Sequence, residues 1–283
     1  MMTDGDVSAR DRADDTTDSL GANRAGQVAI AELLKAQADV PARGPVARIF
    51  GMSPLSQDTH AMYRGVVGEI EVGEALDRLG PEWTVLHAVP VESGLADIDH
   101  LVIGPAGVFV VATKNHSGHN VWASQRTLMV AGVRQPHIRN MEYEMGRAER
   151  SLTAAAGSPV EVAGILAVVA AKSIVVREKH RDVAVLSASH IVTWLQRHKR
   201  VLTAAQVSHI GTAASLTSTW DTSEVDGDCP DDWRRQFEVL RSDVRAAWRL
   251  QMAWAVGVSA VGIGAFAVIT YSILISAIGS FGY

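Results

Sequence analysis

Asp97-Ile98-Asp99-His100-Leu101-Val102-Ile103, the turn Gly104-Pro105-Ala106-Gly107, and Val108-Phe109-Val110-Val111-Ala112-Thr113-Lys114 decide the reading of this chain. Each flank is a short run rich in β-branched and other apolar residues, and four turn-forming residues separate the two, which predicts a β-hairpin. A hairpin sets the first residues of one strand beside the last residues of its partner. Asp99 and Lys114 are therefore predicted to be neighbours at the open end, with Asn115 closing the second strand.

Working outward, residues 64–79 space Ile70, Gly73, Leu76 and Leu79 as one face of a helix. Runs at 83–89, 121–122 and 127–130 read as further strands, and residues 138–156 as a second helix. Residues 162–170 are too few to span a membrane and too uniformly apolar for an exposed strand, so they predict a buried one. Residues 182–186 suit another strand. Ser189 can open a helix ending near Arg197, and Thr203 with Gln206 makes a capping-box pattern for a last one. This order predicts an α/β (α+β) fold, a central mixed sheet flanked by helices.

Glu69, on the first helix, can complete an acidic cluster with Asp99 beside Lys114, and Asp97 shares a strand face with Asp99. Such a set suits phosphodiester hydrolysis: carboxylates hold Mg²⁺ at the phosphate, and a lysine orients water or offsets developing negative charge. From about residue 64 to residue 220 the sequence resembles the nuclease-related domain family, a branch of the PD-(D/E)xK nuclease superfamily. The resemblance rests on Gly65-Val66-Val67-Gly68-Glu69, on residues 98–109 and on Thr113-Lys114-Asn115. It continues more loosely through Arg139-Asn140 and Leu202-Thr203-Ala204-Ala205-Gln206-Val207. It implies a restriction-endonuclease-like sheet, nucleic acid (DNA or RNA) as partner and Mg²⁺ or Mn²⁺ as cofactor. Glu69, Asp99 and Lys114 then fall on the helix acid, the invariant aspartate and the lysine, which makes Asp99 and Glu69 metal ligands, and Asp97, on the strand face of Asp99, could substitute for a missing one.

One position departs from that pattern. The superfamily carries an acid two residues before the lysine, where this chain has Ala112. Strand alternation puts position 112 on the face of Lys114, where an acid would have pointed at the metal. Two functional readings follow. One is a metal-dependent nuclease working with fewer protein ligands, since Mg²⁺ commonly takes only one or two carboxylates beside water and substrate. The other is a non-catalytic nuclease fold serving as a scaffold or binding module. His100, His116 and His119 are weaker ligand candidates, with His100 read as a brace for the Asp99 strand. Glu144 and Arg147, one helical turn apart, read as a surface ion pair, with substrate contact as the alternative.

The 283 residues are 47% hydrophobic and 20% charged, a globular balance. Cys229 is the only cysteine, which excludes an intramolecular disulfide and a thiolate zinc site. The net charge of −5 hides a division, because residues 134–200 carry eleven Lys and Arg against six Asp and Glu. That basic middle suits phosphate contact and equally suits a solvated face. Residues 1–24 are polar, Asp-rich and without the apolar core of a secretory signal.

From Leu250 to the end there is no charged residue, and residues 252–278 are nearly all apolar. At ~1.5 Å per residue such a helix is ~40 Å long, enough for a ~30 Å hydrocarbon core. Arg234, Arg235, Arg241, Arg245 and Arg249 precede it and nothing basic follows, which predicts a single-pass anchor with the soluble domain cytoplasmic. Ala253/Gly257 and Ala260/Gly264 are small-residue pairs that could pack a second copy into a homodimer. The predicted organisation is a tail, short helix and linker over 1–60, the nuclease-related domain over 61–220, a juxtamembrane helix over 221–249, and the transmembrane helix with a short tail over 250–283.

Overall fold

The hairpin is present, as β2 (Ile98–Gly104) and β3 (Gly107–Asn115), with a register running from Gly104 opposite Gly107 to His100 opposite Val111. The chain is described from a computed structural model over residues 19–90, 98–220 and 232–279. Gly104 is required at the turn because a Cβ there would meet the Trp83 ring at 2.0 Å. The Pro105 carbonyl accepts the N–H groups of Val201 (2.7 Å) and Leu202 (3.1 Å), which ties the turn to a distant segment.

Helices α1 (Gln27–Ala38), α2 (Pro45–Ile49) and α3 (Gln57–Leu76) precede β1 (Thr84–Val89). Helix α3 starts well before the predicted residue 64, because Ser56 and Thr59 cap it reciprocally. The Ser56 N–H donates to Thr59 Oγ1 at 2.9 Å and the Thr59 N–H to Ser56 Oγ at 3.2 Å. After the hairpin come β4 (Asn120–Ser124), β5 (Thr127–Val130), β6 (Val133–Gln135) and α4 (His137–Ala156). Then follow β7 (Val162–Val169), β8 (Ser173–Val176), β9 (Val183–Ser187), α5 (Ile191–Arg197), α6 (Ala204–Ser215) and α7 (Trp233–Gly279).

The predicted mixed sheet is five-stranded, in the order β1-β2-β3-β7-β9. The β1–β2 and β2–β3 pairs are antiparallel, while the β3–β7 and β7–β9 pairs are parallel. Beside it lies a second sheet, β6-β5-β4-β8, that sequence reasoning did not separate. Its strands β6 and β8 are short and mostly exposed, so they leave no alternating apolar pattern to read. Alternation along the main sheet fills two cores. Leu101, Ile103, Val108, Val110, Ala112 and Leu166 meet Met141, Met145, Ala148 and Leu152 of α4 and Val207 and Ile210 of α6. On the other face, Val102, Phe109, Val111 and Ile165 meet Val72 and Leu76 of α3 and Ile191 and Leu195 of α5. This two-sided burial explains why β7 is apolar at nearly every position.

The chain divides into two units, residues 1–33 with 61–230 and residues 34–60 with 231–283. The second is dominated by α7, one helix long and apolar enough to cross a membrane, with mean hydropathy 2.0 in its apolar part. Its apolar side chains are exposed, among them Val256, Val261, Ile263 and Phe266. Ser259, Thr270 and Ser272 each donate to the carbonyl four residues back, so these hydroxyls are satisfied within the helix. The helix is a candidate membrane anchor.

Candidate active site at the splayed end of the hairpin

The β2–β3 ladder stops at His100 and Val111, although β3 stays paired with β7 as far as Asn115 opposite Val169. Ala88, the residue of β1 that would stand opposite Asp99, has φ 47 and drops out of the β1–β2 ladder. Asp99 is thereby released from both neighbours. Its side chain fills the gap: the Thr113 N–H, which β2 no longer pairs, donates to Asp99 Oδ2 at 2.6 Å. The carboxylate thus sits at the mouth between two strands.

Lys114, one residue before the end of β3, lies on the same face and is close enough for its charge to act on Asp99. Burial is the largest influence on Asp99 and pushes its carboxyl above the usual range, with Lys114 and the Thr113 N–H pulling the other way. The predicted pair is therefore brought together.

A third charged group arrives from α4. Gly164 of β7 lets that helix approach closely, since a Cβ there would lie 2.5 Å from Met141 Cγ and 2.7 Å from Met145 Sδ. On this sheet-facing stripe Glu144 is half-buried and Arg147 buried, with Arg147 5% exposed. The expected surface ion pair is thus corrected, because both residues face inward. Glu144 has its carboxyl pushed up to about 7, first by burial, then by the Asp99 charge, with Lys114 and Arg147 opposing. Two carboxylates repelling each other beside one lysine form a set of hard oxygen donors, and a divalent cation between them would relieve the repulsion. Ala112 is 3% exposed and packs with the α4 core, on the face where the absent acid would have pointed.

His116 and His137 stack beside Lys114, with ring centroids 5.4 Å apart. Burial comes first and Lys114 second in holding both imidazoles below the ordinary histidine range, His137 at about 4. Their Nε2 atoms are buried without a hydrogen-bond partner among the described residues. His100 faces away from this cluster. Fully buried, it meets His87 through their Nδ1 atoms at 2.8 Å, and His87 Nε2 reaches Asp77 at 3.0 Å. Burial and His87 hold His100 well below the ordinary value. A neutral histidine bridging β1 and β2 is the brace that the sequence suggested.

Glu69 projects from α3, the helix on the opposite face of the sheet, where Gly68 lies against Thr113, Asn115 and Val169. Its Oε1 accepts the Gly26 N–H at 2.9 Å. Asp97 lies outside the described residues. Among the described residues no group of three or more His, Cys, Asp and Glu side chains is arranged to hold a metal ion. Sequence reasoning did not place Glu144 beside Asp99 and Lys114, giving it only substrate contact as the alternative to an ion pair. Its signal was present, since Ile138, Met141, Met145, Ala148 and Leu152 mark a buried stripe on which Glu144 falls.

The splayed hairpin with its aspartate and lysine agrees with a comparison against known families. Residues 64–169 match the family model of the nuclease-related domain. The match covers rather more than a third of the chain and takes in Glu69, Asp99, Lys114 and Glu144. A stretch of 60 residues is 45% identical to an uncharacterized protein of Bacillus anthracis, over 20% of this chain and 28% of that protein. The chain thus spans under a third of that relative's length. No solved structure matches the chain. The nuclease-related domain supports a nuclease-like fold here, and Glu69, Asp99, Lys114 and Glu144 sit on elements of the five-stranded sheet or the helices against it.

Proposed function

We propose that the nuclease-related domain is a metal-dependent phosphodiesterase acting on nucleic acid, with Asp99 and Glu144 as the metal-holding carboxylates and Lys114 as the phosphate-facing cation. The convergence of those three charges at the splayed end of β2 and β3 carries the reading. Bound there, Mg²⁺ or Mn²⁺ supplies a Lewis acid and a water of lowered pKa. Asp99 is fixed through Oδ2 by the Thr113 N–H, and its carboxylate would supply an oxygen ligand to the cation. Lys114 offsets the charge that builds on the phosphate as water adds to phosphorus and the far P–O bond breaks, the leaving oxygen ending protonated. The stacked imidazoles of His116 and His137 form a neutral wall beside it. Glu69 then serves the fold by fastening the Gly26 backbone to α3.

The reading extends to location. Helix α7 anchors the chain in a membrane as a single pass, and the arginines before it keep the domain on the cytoplasmic side. Gly257 and Gly264 are open on its surface, where a second copy can pack to make a dimer. Ala112 favours a second reading, a non-catalytic module that binds nucleic acid or protein at the membrane. Purified protein titrated with Mn²⁺ and incubated with single- and double-stranded DNA and RNA separates them. Metal-dependent cleavage lost in Lys114→Ala supports the enzyme. Folded protein that binds no Mn²⁺ and cleaves none of the four overturns it.

A further inference from the structure

The second unit contains a feature that neither the nuclease-related domain nor the anchor uses. Helix α2 ends in a tight C-cap: the Gly51 N–H donates to the Arg48 carbonyl at 3.2 Å, and the Met52 N–H to the Ala47 carbonyl at 2.9 Å. Gly51 has φ +68, and a Cβ there would lie 2.5 Å from the Ala247 oxygen and 2.6 Å from the Gln251 nitrogen. The turn is therefore seated directly on the backbone of α7. Trp254 Nε1–H donates to the Ile49 carbonyl at 2.8 Å, and the Phe50 and Trp254 rings lie 5.3 Å apart. Arg43 completes the seat, with a donor to the Met52 carbonyl at 3.0 Å and an ion pair to Asp243 at 3.6 Å.

This seat fixes a height. Arg249 is the last charged residue before the apolar run, and Trp254 follows by five residues, about 7–8 Å along a helix axis. That interval matches the zone between lipid headgroups and acyl chains, where tryptophan is enriched. At this height four large apolar side chains stand uncovered: Val46 (65% exposed), Ile49 (56%), Phe50 (52%) and Met52 (60%). Trp248 and Met252 of α7 are exposed beside them, as are the cationic Arg48, Arg245 and Arg249. Apolar side chains flanked by arginines, at the level where the helix turns apolar, match an interfacial bilayer surface.

We propose that residues 45–52 are an interfacial foot, embedded in the headgroup–acyl boundary of the leaflet that α7 enters. Arg48, Arg245 and Arg249 would meet anionic lipid phosphates there. The inference rests on the reading of α7 as a membrane anchor and adds a second element in contact with lipid. The foot stops α7 from sliding along the membrane normal, because it is wider than the helix and tied to it at Gly51 and Trp254.

The test uses the full chain in liposomes of phosphatidylcholine with phosphatidylglycerol. Cys229, the only cysteine, is replaced by serine, and one environment-sensitive dye is attached in turn to Val46→Cys and Val261→Cys. The dye–cysteine adduct in buffer is the water reference. Both labels are expected to shift to the blue, with Val46 quenched most by headgroup nitroxides and Val261 by mid-chain nitroxides. A Val46 label that emits as in water while Val261 is blue-shifted overturns the foot and leaves the anchor standing. Both labels in water overturn the anchor and the foot with it. A Val46 shift that disappears as protein is diluted into excess lipid assigns the surface to a second copy, and overturns the lipid assignment.

Discussion

Asp99 takes the backbone hydrogen bond of Thr113 that a continuing β2 strand would have taken, at 2.6 Å. Oδ2 thereby holds the strand end, and in the proposed function the same carboxylate also serves as a metal ligand. The two roles separate in a substitution series. Asp99→Asn keeps an oxygen for the Thr113 N–H and loses the anionic ligand. It is expected to fold with a melting temperature close to wild type and to lose Mn²⁺ affinity by about 100-fold or more, the scale of a lost ligand contact. Asp99→Leu should lose stability as well. Calorimetric titration alongside thermal melts checks both, and an Asn variant with wild-type Mn²⁺ affinity would remove Asp99 from the site.

Glu144 and Ala112 make a reciprocal pair of experiments. Glu144→Gln is expected to weaken Mn²⁺ binding while preserving the fold. Restoring the acid on the strand, as Ala112→Asp or Ala112→Glu in that background, should recover binding, because alternation puts position 112 on the face of Lys114, the face against which α4 packs. Ala112 is buried, so the longer side chain costs roughly 1–3 kcal/mol of packing and the Asp variant is the gentler one. Recovery by neither variant, with both folded by circular dichroism, would refute a shared metal position.

Acidity gives a third handle. The carboxyl of Glu144 is pushed up to about 7 by burial and by Asp99, so its proton must leave before a cation can bind. Mn²⁺ affinity should climb with pH below about 7, by up to ~10-fold per unit for one displaced proton, and level off above it. Glu144→Gln should flatten the profile. Stability of the metal-free protein has the opposite sign. A carboxyl raised above its ordinary value of 4.5 contributes fully below that value, and its contribution fades as pH rises through about 7. Melts across pH 5–8, with and without Mn²⁺, test both slopes.

Two arginines of α4 should behave differently. Arg147 is buried beside Glu144, whereas Arg150 is exposed. Arg147→Ala is expected to cost about 2 kcal/mol, a fall in Tm of roughly 4–8 °C. Arg150→Ala should leave Tm unchanged and, if it meets a phosphate, reduce the salt slope of nucleic-acid binding by about one. Equal thermal effects of the two substitutions would contradict the packing of α4.

The hairpin was legible because both strands and their turn are local: residues 97–103 and 108–114 were expected, and Ile98–Gly104 and Gly107–Asn115 are found. Asp99 and Lys114 came with it, since strand register alone makes them neighbours. Glu144 was not legible in the same way. Its approach to Asp99 depends on how α4 docks on β7 at Gly164, and the spacing of Glu144 and Arg147 is equally that of an ordinary solvated pair. Helix α2 was hidden for a related reason. Residues 45–49, after Gly44, read as linker, and the bond from Trp254 to the Ile49 carbonyl that holds them comes from 205 residues away in sequence.

The parallel strands β3, β7 and β9 all point their carboxyl ends toward one rim of the sheet, the rim where Lys114 and Asn115 end β3. The segments leaving that rim, residues 116–119, 170–172 and 188–190, connect elements without forming the sheet itself. The protein is thereby partitioned into a chassis and an exchangeable face. Under the proposed function, grafting new sequence into those three connections is expected to retune which polymer is gripped, while the charges on β2, β3 and α4 stay where the sheet holds them.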